Sequence, residues 1–522
     1  MRTATPRYHR AVQPLAQRLN RPIVAILAVA AIAGTIRFTH LSHPSDFVFD
    51  EIYYPKVACI YLGGSDDTCQ INSSDEKYWR ANKWDVGSWV HPPLGKWMTA
   101  MGIKAFGMNS FGWRFMSALE GTLIAVMVAL IAQLLFGSAL WTFLAGLLIA
   151  VESLNVVMSR VGLLDIHLEF WIVLGYLFLL LDRRWIDRHT PPEPEPMEVA
   201  DAEGETVTVT PRWTGVSSPL WRPWRFAAGA ALGAACAVKW SAVTALVAAG
   251  LLSYIWETTR RHRGDTSRGR AFVRAFTMET FGLVLAFLFL PVVVYVATWI
   301  PWFHHFGWSA SAFWQNHLEM WRYHAGLKEF ALDPATKQYT PTHPYYSRPW
   351  TWLPMVRPVS FYVKDVGSDI RQILAIGNPA IFWGSIWAIP WAAYSWWHRR
   401  DWRAGYILVP FLFQWLAWFP VARPQFFFYV LPCTPFMVLA VIYAIRDLSD
   451  AHLVQRDHET GAVAIDPETG APAVSALHPY RPIAWAVVLL AVGLFLWFWP
   501  VLTGGQISDA HWKLIVWFPG WA

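Results

Sequence analysis

Long apolar runs separated by short polar stretches recur along this chain, at 22–41, 113–136, 139–158, 163–181, 226–256, 276–300, 378–397, 404–420, 427–445 and 483–502. Most are close to the roughly 20 residues that a helix needs to cross about 30 Å of hydrocarbon. The fifth is longer, about 31 residues, and as one helix it would extend roughly 46 Å. Arg222 and Arg225 precede it, and Arg260, Arg261 and Arg263 follow it. Because basic residues hold span ends on the cytoplasmic side, both of its ends belong on one face. The run therefore splits into two short crossings that turn near Lys239 and Trp240. The pattern predicts an all-α polytopic membrane protein with eleven spans.

The leader "MRTATPRYHRAVQPLAQRLNR" has five arginines and no acid, which places the N-terminus in the cytoplasm. The first run lacks a small-residue cleavage site and reads as a retained helix of a multi-pass plasma-membrane protein. Eleven crossings then put "DRRWIDR", "RRHRGDTSRGR" and "HRRDWR" on the cytoplasmic side. The outer face receives 42–112, 301–377 and two tips, 159–162 and 421–426. The inner face carries 182–225 and 446–482, whose Pro-rich acidic stretches read as flexible linkers. The outer loops are rich in Trp, Tyr, His and Pro, which suits amphipathic helices lying in the interface.

Composition agrees: 55% of the 522 residues are hydrophobic and 15% are charged, which excludes an ordinary soluble globule. The net charge of +6 sits in arginine clusters between runs, as orientation signals and not as a nucleic-acid surface. There is no HExxH, paired CxxC or Gly-rich phosphate loop, and the pair at His304 and His305 is too little for a metal site. The missing fixed-period repeat weakens a transporter reading, as does the collection of the conspicuous charges at one face. Cys236 and Cys433 lie in apolar runs. Cys59 and Cys69 share the first outer loop, as free thiols or as a disulfide if that loop meets an oxidising compartment.

The conspicuous ionisable groups near span ends collect on one face: Arg37, Asp50, Glu51, His91, Lys96, Arg114, Arg160, Asp165, Lys239 and Arg423. Charges at the rim of apolar spans are costly, so a group of them at one depth points to a polar cavity. Asp50 and Glu51 are adjacent, and adjacent side chains diverge, so one is expected to act as a base and the other to orient a cation or a helix. In "WVHPPLGKWM" a rigid Pro-Pro turn precedes Lys96 at the start of an interfacial stretch. In "SRVGLLDIH", Arg160 and Asp165 either pair within the tip or reach a shared cavity. The cations suit an anionic lipid phosphate.

"FDEIYY", "HPPLGK", "SRVGLLD", "AVKWSA", "GNPAIFW" and "RPQFFFYVLPCTPF", in that order, resemble the bacterial protein O-mannosyltransferase family. The resemblance implies a GT-C glycosyltransferase fold with eleven spans and an outer-face site beside the first loop. It implies inverting transfer of mannose from a polyprenyl-phosphate carrier to Ser or Thr hydroxyls of secreted proteins, with no cofactor beyond that donor. Asp50 and Glu51 match the family's acidic pair, with Asp50 the expected base, and Arg37 and Arg114 match arginines near it. Lys239, Arg160 and Arg423 are assigned to the donor phosphate from charge and location, with His91, Lys96 and Asp165 in support. The loop 301–377 is too short for the β-trefoil MIR insert of eukaryotic members. The expected partners are the lipid-linked donor, secreted segments, the Sec translocon and membrane lipids. A GT-C relative moving another sugar or using a glycolipid acceptor is the nearest alternative, and a lipid flippase or transporter a more distant one.

Overall fold

The computed structural model describes residues 21–71, 90–190, 197–200, 206–209, 222–263, 267–333, 337–450 and 480–521. The basic leader up to residue 20 and most of both linkers lie outside them. In chain order the helices are α1 (Pro22–Phe38), α2 (Tyr54–Tyr61), α3 (Leu94–Phe106), α4 (Ser110–Phe136), α5 (Ala139–Ala150), α6 (Ser153–Met158), α7 (Leu164–His189), α8 (Pro223–Cys236) and α9 (Val243–Arg263). They continue as α10 (Arg268–Val284), α11 (Leu290–Ala297), α12 (Ile300–Phe306), α13 (Ala310–Gly326), α14 (Pro379–His398), α15 (Trp402–Leu416), α16 (Thr434–Ser449), α17 (Arg481–Thr503) and α18 (Asp509–Ile515).

Local chemistry sets many of these bounds. Pro22, Pro223 and Pro379 stand in the first turns of their helices, where a missing N–H costs nothing. Asn109 caps α4 by accepting from Gly112 N at 3.0 Å, and Gly137 ends it with φ 68, a conformation that glycine adopts without strain. Among the described residues, six helical stretches are long and apolar enough to cross a membrane: α4, α7, α9 with its leading turn, α10 with α11, residues 427–449, and α17. The apolar α1 and α5 are shorter. Helices α8, α14 and α15 occupy the other expected span positions.

The long fifth run divides where its flanking arginines require. Helix α8 stops at Cys236, Lys239 is extended at φ −146 and ψ 140, and one 3-10 turn, Trp240–Ala242, leads into α9. Elsewhere the periodicity needs correction. The expected span 139–158 is broken: α5 ends at Ala150, and Glu152 caps α6 by accepting from Leu154 N and Asn155 N at 3.2 and 2.6 Å. Helix α7 runs through "DRRWIDR" to His189, so the start of the expected linker is helical. Within that linker β1 (Met197–Ala200) pairs antiparallel with β2 (Thr206–Val209).

The loop 301–377 holds the expected helices α12 and α13, but it also forms strands that an all-α expectation leaves out. A short hairpin joins β3 (Phe330–Leu332) to β4 (Tyr339–Pro341). A second hairpin, β5 (Val359–Val366) with β6 (Asp369–Ala375), gains a third antiparallel strand, β7 (Gln506–Ser508), with Ile370 opposite Ile507. The core lies among α4, α5, α7 and α16, where small and branched residues such as Ala129, Ala145, Leu148 and Val438 are fully buried. Helices α10, α11 and α17 instead expose Phe281, Val292 and Leu489, as lipid-facing surfaces do.

Candidate active site

The acidic pair sits on a 3-10 turn, Phe49–Ile52, between α1 and α2. Phe49 has φ 52, an uncommon conformation for a bulky residue. Its ring stacks on Phe361 at 4.5 Å and meets Phe428 edge-on, so strand β5 and the segment before α16 hold the bend in place.

Past that bend the two carboxylates separate. Glu51 is fully buried and accepts from the Arg114 fork at 2.8 and 2.7 Å, from Val48 N at 2.8 Å and from Gly162 N at 2.7 Å. Arg114 gives its remaining donors to the carbonyls of Leu41, Pro44 and Asp46. Asp50 is half-buried, and its carboxylate makes no hydrogen bond among the described residues. Burial lifts this carboxyl to about 6; Lys239 pulls it down and Asp165 pushes it up.

Those two neighbours open onto a cavity of about 330 Å³. Lys239 Nζ donates to Asp165 Oδ2 at 2.8 Å, and the ammonium lies 5.8 Å from the Tyr429 ring centroid. Around the cavity stand Val90, His91, Trp240, Trp321, His324, Gln414 and Arg423. Arg423 donates through Nη1 to His324 Nδ1 at 2.7 Å and through Nη2 to Tyr429 Oη at 2.9 Å. A guanidinium only donates, so His324 Nδ1 must accept, and its Nε2–H donates to the Val90 carbonyl at 2.7 Å. Burial and the adjacent Arg423 push His324 down to about 4, so the ring is neutral in neutral solution, as this pattern requires. Arg423 Nε is buried without a hydrogen-bond partner among the described residues.

The turn 90–96 docks against the split in the fifth run, with Leu94 N donating to Ala237 O at 3.1 Å. Lys96 is 1% exposed and donates to the His91 carbonyl at 2.7 Å, and burial lowers its ammonium to about 7. Burial and nearby cations likewise hold His91 well below the usual imidazole range. The expected first-loop disulfide is formed between Cys59 and Cys69.

Of the five cations expected at a donor phosphate, the structure brings Lys239 and Arg423 to the cavity and sends Arg37, Arg114 and Arg160 elsewhere. Arg37 is fully buried and donates to Asn155 Oδ1 at 2.5 Å and to the carbonyls of Ala33, Ile149 and Ala150. Arg160 donates to the carbonyls of Ile36, Arg37, Thr39 and His40 and so closes the end of α1. It does not pair with Asp165, which takes Lys239 instead. These three arginines brace the fold around the loop because backbone carbonyls, Asn155 and the buried Glu51 already take most of their donors.

Several groups escaped the sequence reading. His324, Trp240, Trp321 and Tyr429 join the cavity from segments far apart in the chain. Glu120, Glu169 and His167 are fully or almost fully buried inside spans. Glu120 bonds His167, and Glu169 accepts from Asn155 Nδ2 at 2.8 Å and Thr434 Oγ1 at 3.1 Å. Their signal was present as acids within "SALEG" and "DIHLEF". Among the described residues no group of three or more His, Cys, Asp or Glu could hold a metal ion.

Two family models match. Residues 27–189 fit dolichyl-phosphate-mannose-protein mannosyltransferase, and residues 309–521 fit the C-terminal four TMM region of protein-O-mannosyltransferase. The chain is 29% identical over 490 residues to the polyprenol-phosphate-mannose--protein mannosyltransferase of Mycobacterium tuberculosis, covering 86% of each chain. To the Mycolicibacterium smegmatis protein of that name it is 29% identical over 528 residues, covering 94% of this chain and 92% of the other. Its fold is similar to that of the S. cerevisiae protein O-mannosyltransferase Pmt1-Pmt2 complex bound to the sugar donor, with a TM-score of 0.67 at 14% identity over 96% of this chain and 92% of that one. It is also similar to ArnT from Cupriavidus metallidurans bound to undecaprenyl phosphate, with a TM-score of 0.51 at 15% identity over 92% and 76%. Both are membrane glycosyltransferases of the GT-C fold.

Proposed function

Because this chain belongs to the protein O-mannosyltransferase family, we propose that it transfers mannose from a polyprenyl-phosphate-mannose donor to Ser or Thr hydroxyls of secreted proteins. The reaction takes place at the outer face of the plasma membrane, on segments leaving the Sec translocon, and needs no cofactor beyond the lipid-linked donor.

The observation that carries this reading is the Asp50 carboxylate, half-buried and without a hydrogen-bond partner among the described residues, beside a cavity with two cations. The acceptor hydroxyl gives its proton to Asp50 as its oxygen bonds to C1 of mannose. The bond from C1 to the phosphate oxygen breaks with its electron pair leaving on the phosphate, whose charge grows from one toward two. Attack from the face opposite the leaving phosphate inverts C1, so a β-linked donor gives an α-mannoside. Lys239 and Arg423, both in the cavity wall, stabilise that charge, which removes the need to protonate the leaving group. His324 keeps Arg423 in position, while Glu51 and Arg114 hold the loop that presents Asp50.

The test supplies purified protein with polyprenyl-phosphate-mannose and a Ser/Thr/Pro-rich peptide. Transfer is expected from the wild type, with a loss of about 10²- to 10⁴-fold in Asp50→Asn, the range of a positioned general base. No transfer by the wild type, or undiminished transfer by folded Asp50→Asn, would sink the mechanism. Transfer only from another sugar donor, or only to a glycolipid, would select the GT-C alternative.

A further inference from the structure

The transfer chemistry leaves the imidazole of His91, in the cavity wall, without a part. Its backbone is held on several sides. The carbonyl accepts from the buried Lys96 at 2.7 Å, Pro92 and Pro93 follow with φ fixed by their rings, and Leu94 N ties the turn to Ala237 O. A Cβ on Gly95 would lie 2.9 Å from Leu164 Cδ2, so the turn is also packed closely against α7. The His91 ring, in contrast, is half-buried and makes no hydrogen bond among the described residues.

Two ring contacts tie it to both ends of the reaction. Its centroid lies 6.4 Å from that of Tyr54 and 5.2 Å from that of His324. Tyr54 follows Asp50 by four residues, and burial and then the Asp50 charge raise its phenol well above the usual range. His324 accepts from Arg423. The mannose belongs where those ends meet, because its C1 is bound to the donor phosphate and takes the acceptor oxygen. Burial and nearby cations keep the His91 ring neutral, so one nitrogen donates and the other accepts. An ionised phosphate offers only acceptors, which suit Lys239 and Arg423, whereas a sugar hydroxyl both donates and accepts, which suits a neutral imidazole.

We propose that the His91 ring hydrogen-bonds a hydroxyl of the donor's mannose and thereby helps to select that sugar. The inference rests on the mannosyl-transfer reading above, and it assigns His91 to the sugar instead of the phosphate that its place in the sequence suggested. A site built to bond a hydroxyl leaves a polar group unpaired when the substrate lacks that hydroxyl, which discriminates more strongly than a change in apolar fit. The clamped turn supplies the rigidity this needs, since the ring is presented without a loop having to order first.

The full chain in detergent is given polyprenyl-phosphate-mannose and, in parallel, its 2-, 3-, 4- and 6-deoxy derivatives with the same peptide acceptor, and kcat and KM are measured for each. His91→Phe keeps a ring and removes both nitrogens. It is expected to lose about tenfold in kcat/KM on the full donor, the size of one neutral hydrogen bond. On one deoxy donor the variant and the wild type are expected to be equal, because the bond is already absent and the two losses do not add. Comparing variant with wild type on each donor cancels the intrinsic reactivity of the deoxy sugars. His91→Gln, which keeps a donor and an acceptor, should recover part of the loss. An equal loss on every donor, as a structural or phosphate-binding role would give, or no loss on any donor in folded His91→Phe, would overturn the proposal. His91→Ala gives the same reading should His91→Phe fail to fold. No transfer by the wild type would sink the functional reading itself, and this inference with it.

Discussion

Glu51 accepts four hydrogen bonds, two from the Arg114 fork and two from backbone N–H groups in different segments. Replacing it with Gln leaves Arg114 fully buried without a counter-charge, and breaking such a pair costs about 3–5 kcal/mol. Glu51→Gln should therefore lower the unfolding midpoint in detergent, whereas Asp50→Asn, which breaks no hydrogen bond among the described residues, should leave it nearly unchanged. The two variants separate a brace from a base, although both would reduce transfer. The pH profile adds a signature: Asp50 must be ionised to take a proton, and its carboxyl is raised to about 6. Transfer should rise with pH and reach half its plateau near pH 6; a half-point near 4, the ordinary carboxylate value, would contradict the buried setting. At this scale the sequence made the divergence of Asp50 and Glu51 legible, because adjacency alone requires it. It could not place Arg37, Arg114 and Arg160, since charge and depth along a chain do not say which carbonyls a guanidinium will find. His324 was invisible because its partner carbonyl, on Val90, is 234 positions away.

Helix packing turns on close approaches that hydropathy does not record. In α8 a Cβ added to Gly229 would lie 1.8 Å from the Ala286 carbonyl oxygen, and one added to Gly233 would lie 2.6 Å from Pro291 Cα. These glycines, four apart, let α8 press against the π-helical segment Leu285–Phe289 and the start of α11, as small-residue motifs do in membranes. Gly229→Ala should destabilise by about 1–3 kcal/mol, the usual cost of overpacking, and lower the unfolding midpoint. Gly493→Ala in α17 is the control: its Cβ meets nothing within 4 Å, so the loss of glycine flexibility in a helix makes it neutral or slightly stabilising. A midpoint drop of equal size in both variants would refute this packing account. The span positions were legible because bilayer thickness sets their length. The break at Val151 and Glu152 was not, although an acid inside the run was the clue, because hydropathy averages over a single cap. The outer strands were unreadable for another reason: β6 finds β7 more than a hundred residues away, and no local pattern encodes that pairing.

At the level of the whole chain, flanking arginines and span lengths were enough to predict that the long fifth run folds back on itself, and this turn carries Lys239 to the cavity. Arg423, in the tip 421–426, was expected at a polar site from charge and location, but its neighbour Tyr429 was not, and neither was the wall formed by α13, which brings His324 and Trp321; only the folded chain sets them side by side.

The three-stranded sheet of β5, β6 and β7 has one more consequence. It joins residues 369–371 to residues 506–508, and beyond it Trp521 Nε1 donates to the Met355 carbonyl at 2.6 Å. The last helix is thus attached by polar stitches outside the bilayer as well as by its apolar side. A polypeptide ending at residue 450 and a second one beginning at 480, made as separate chains in one cell, should find each other and co-purify as a working pair. Shifting the register through Ile370→Asp and Ile507→Asp should keep the two pieces apart, and co-purification undiminished by those changes would show that the bilayer-embedded contacts suffice.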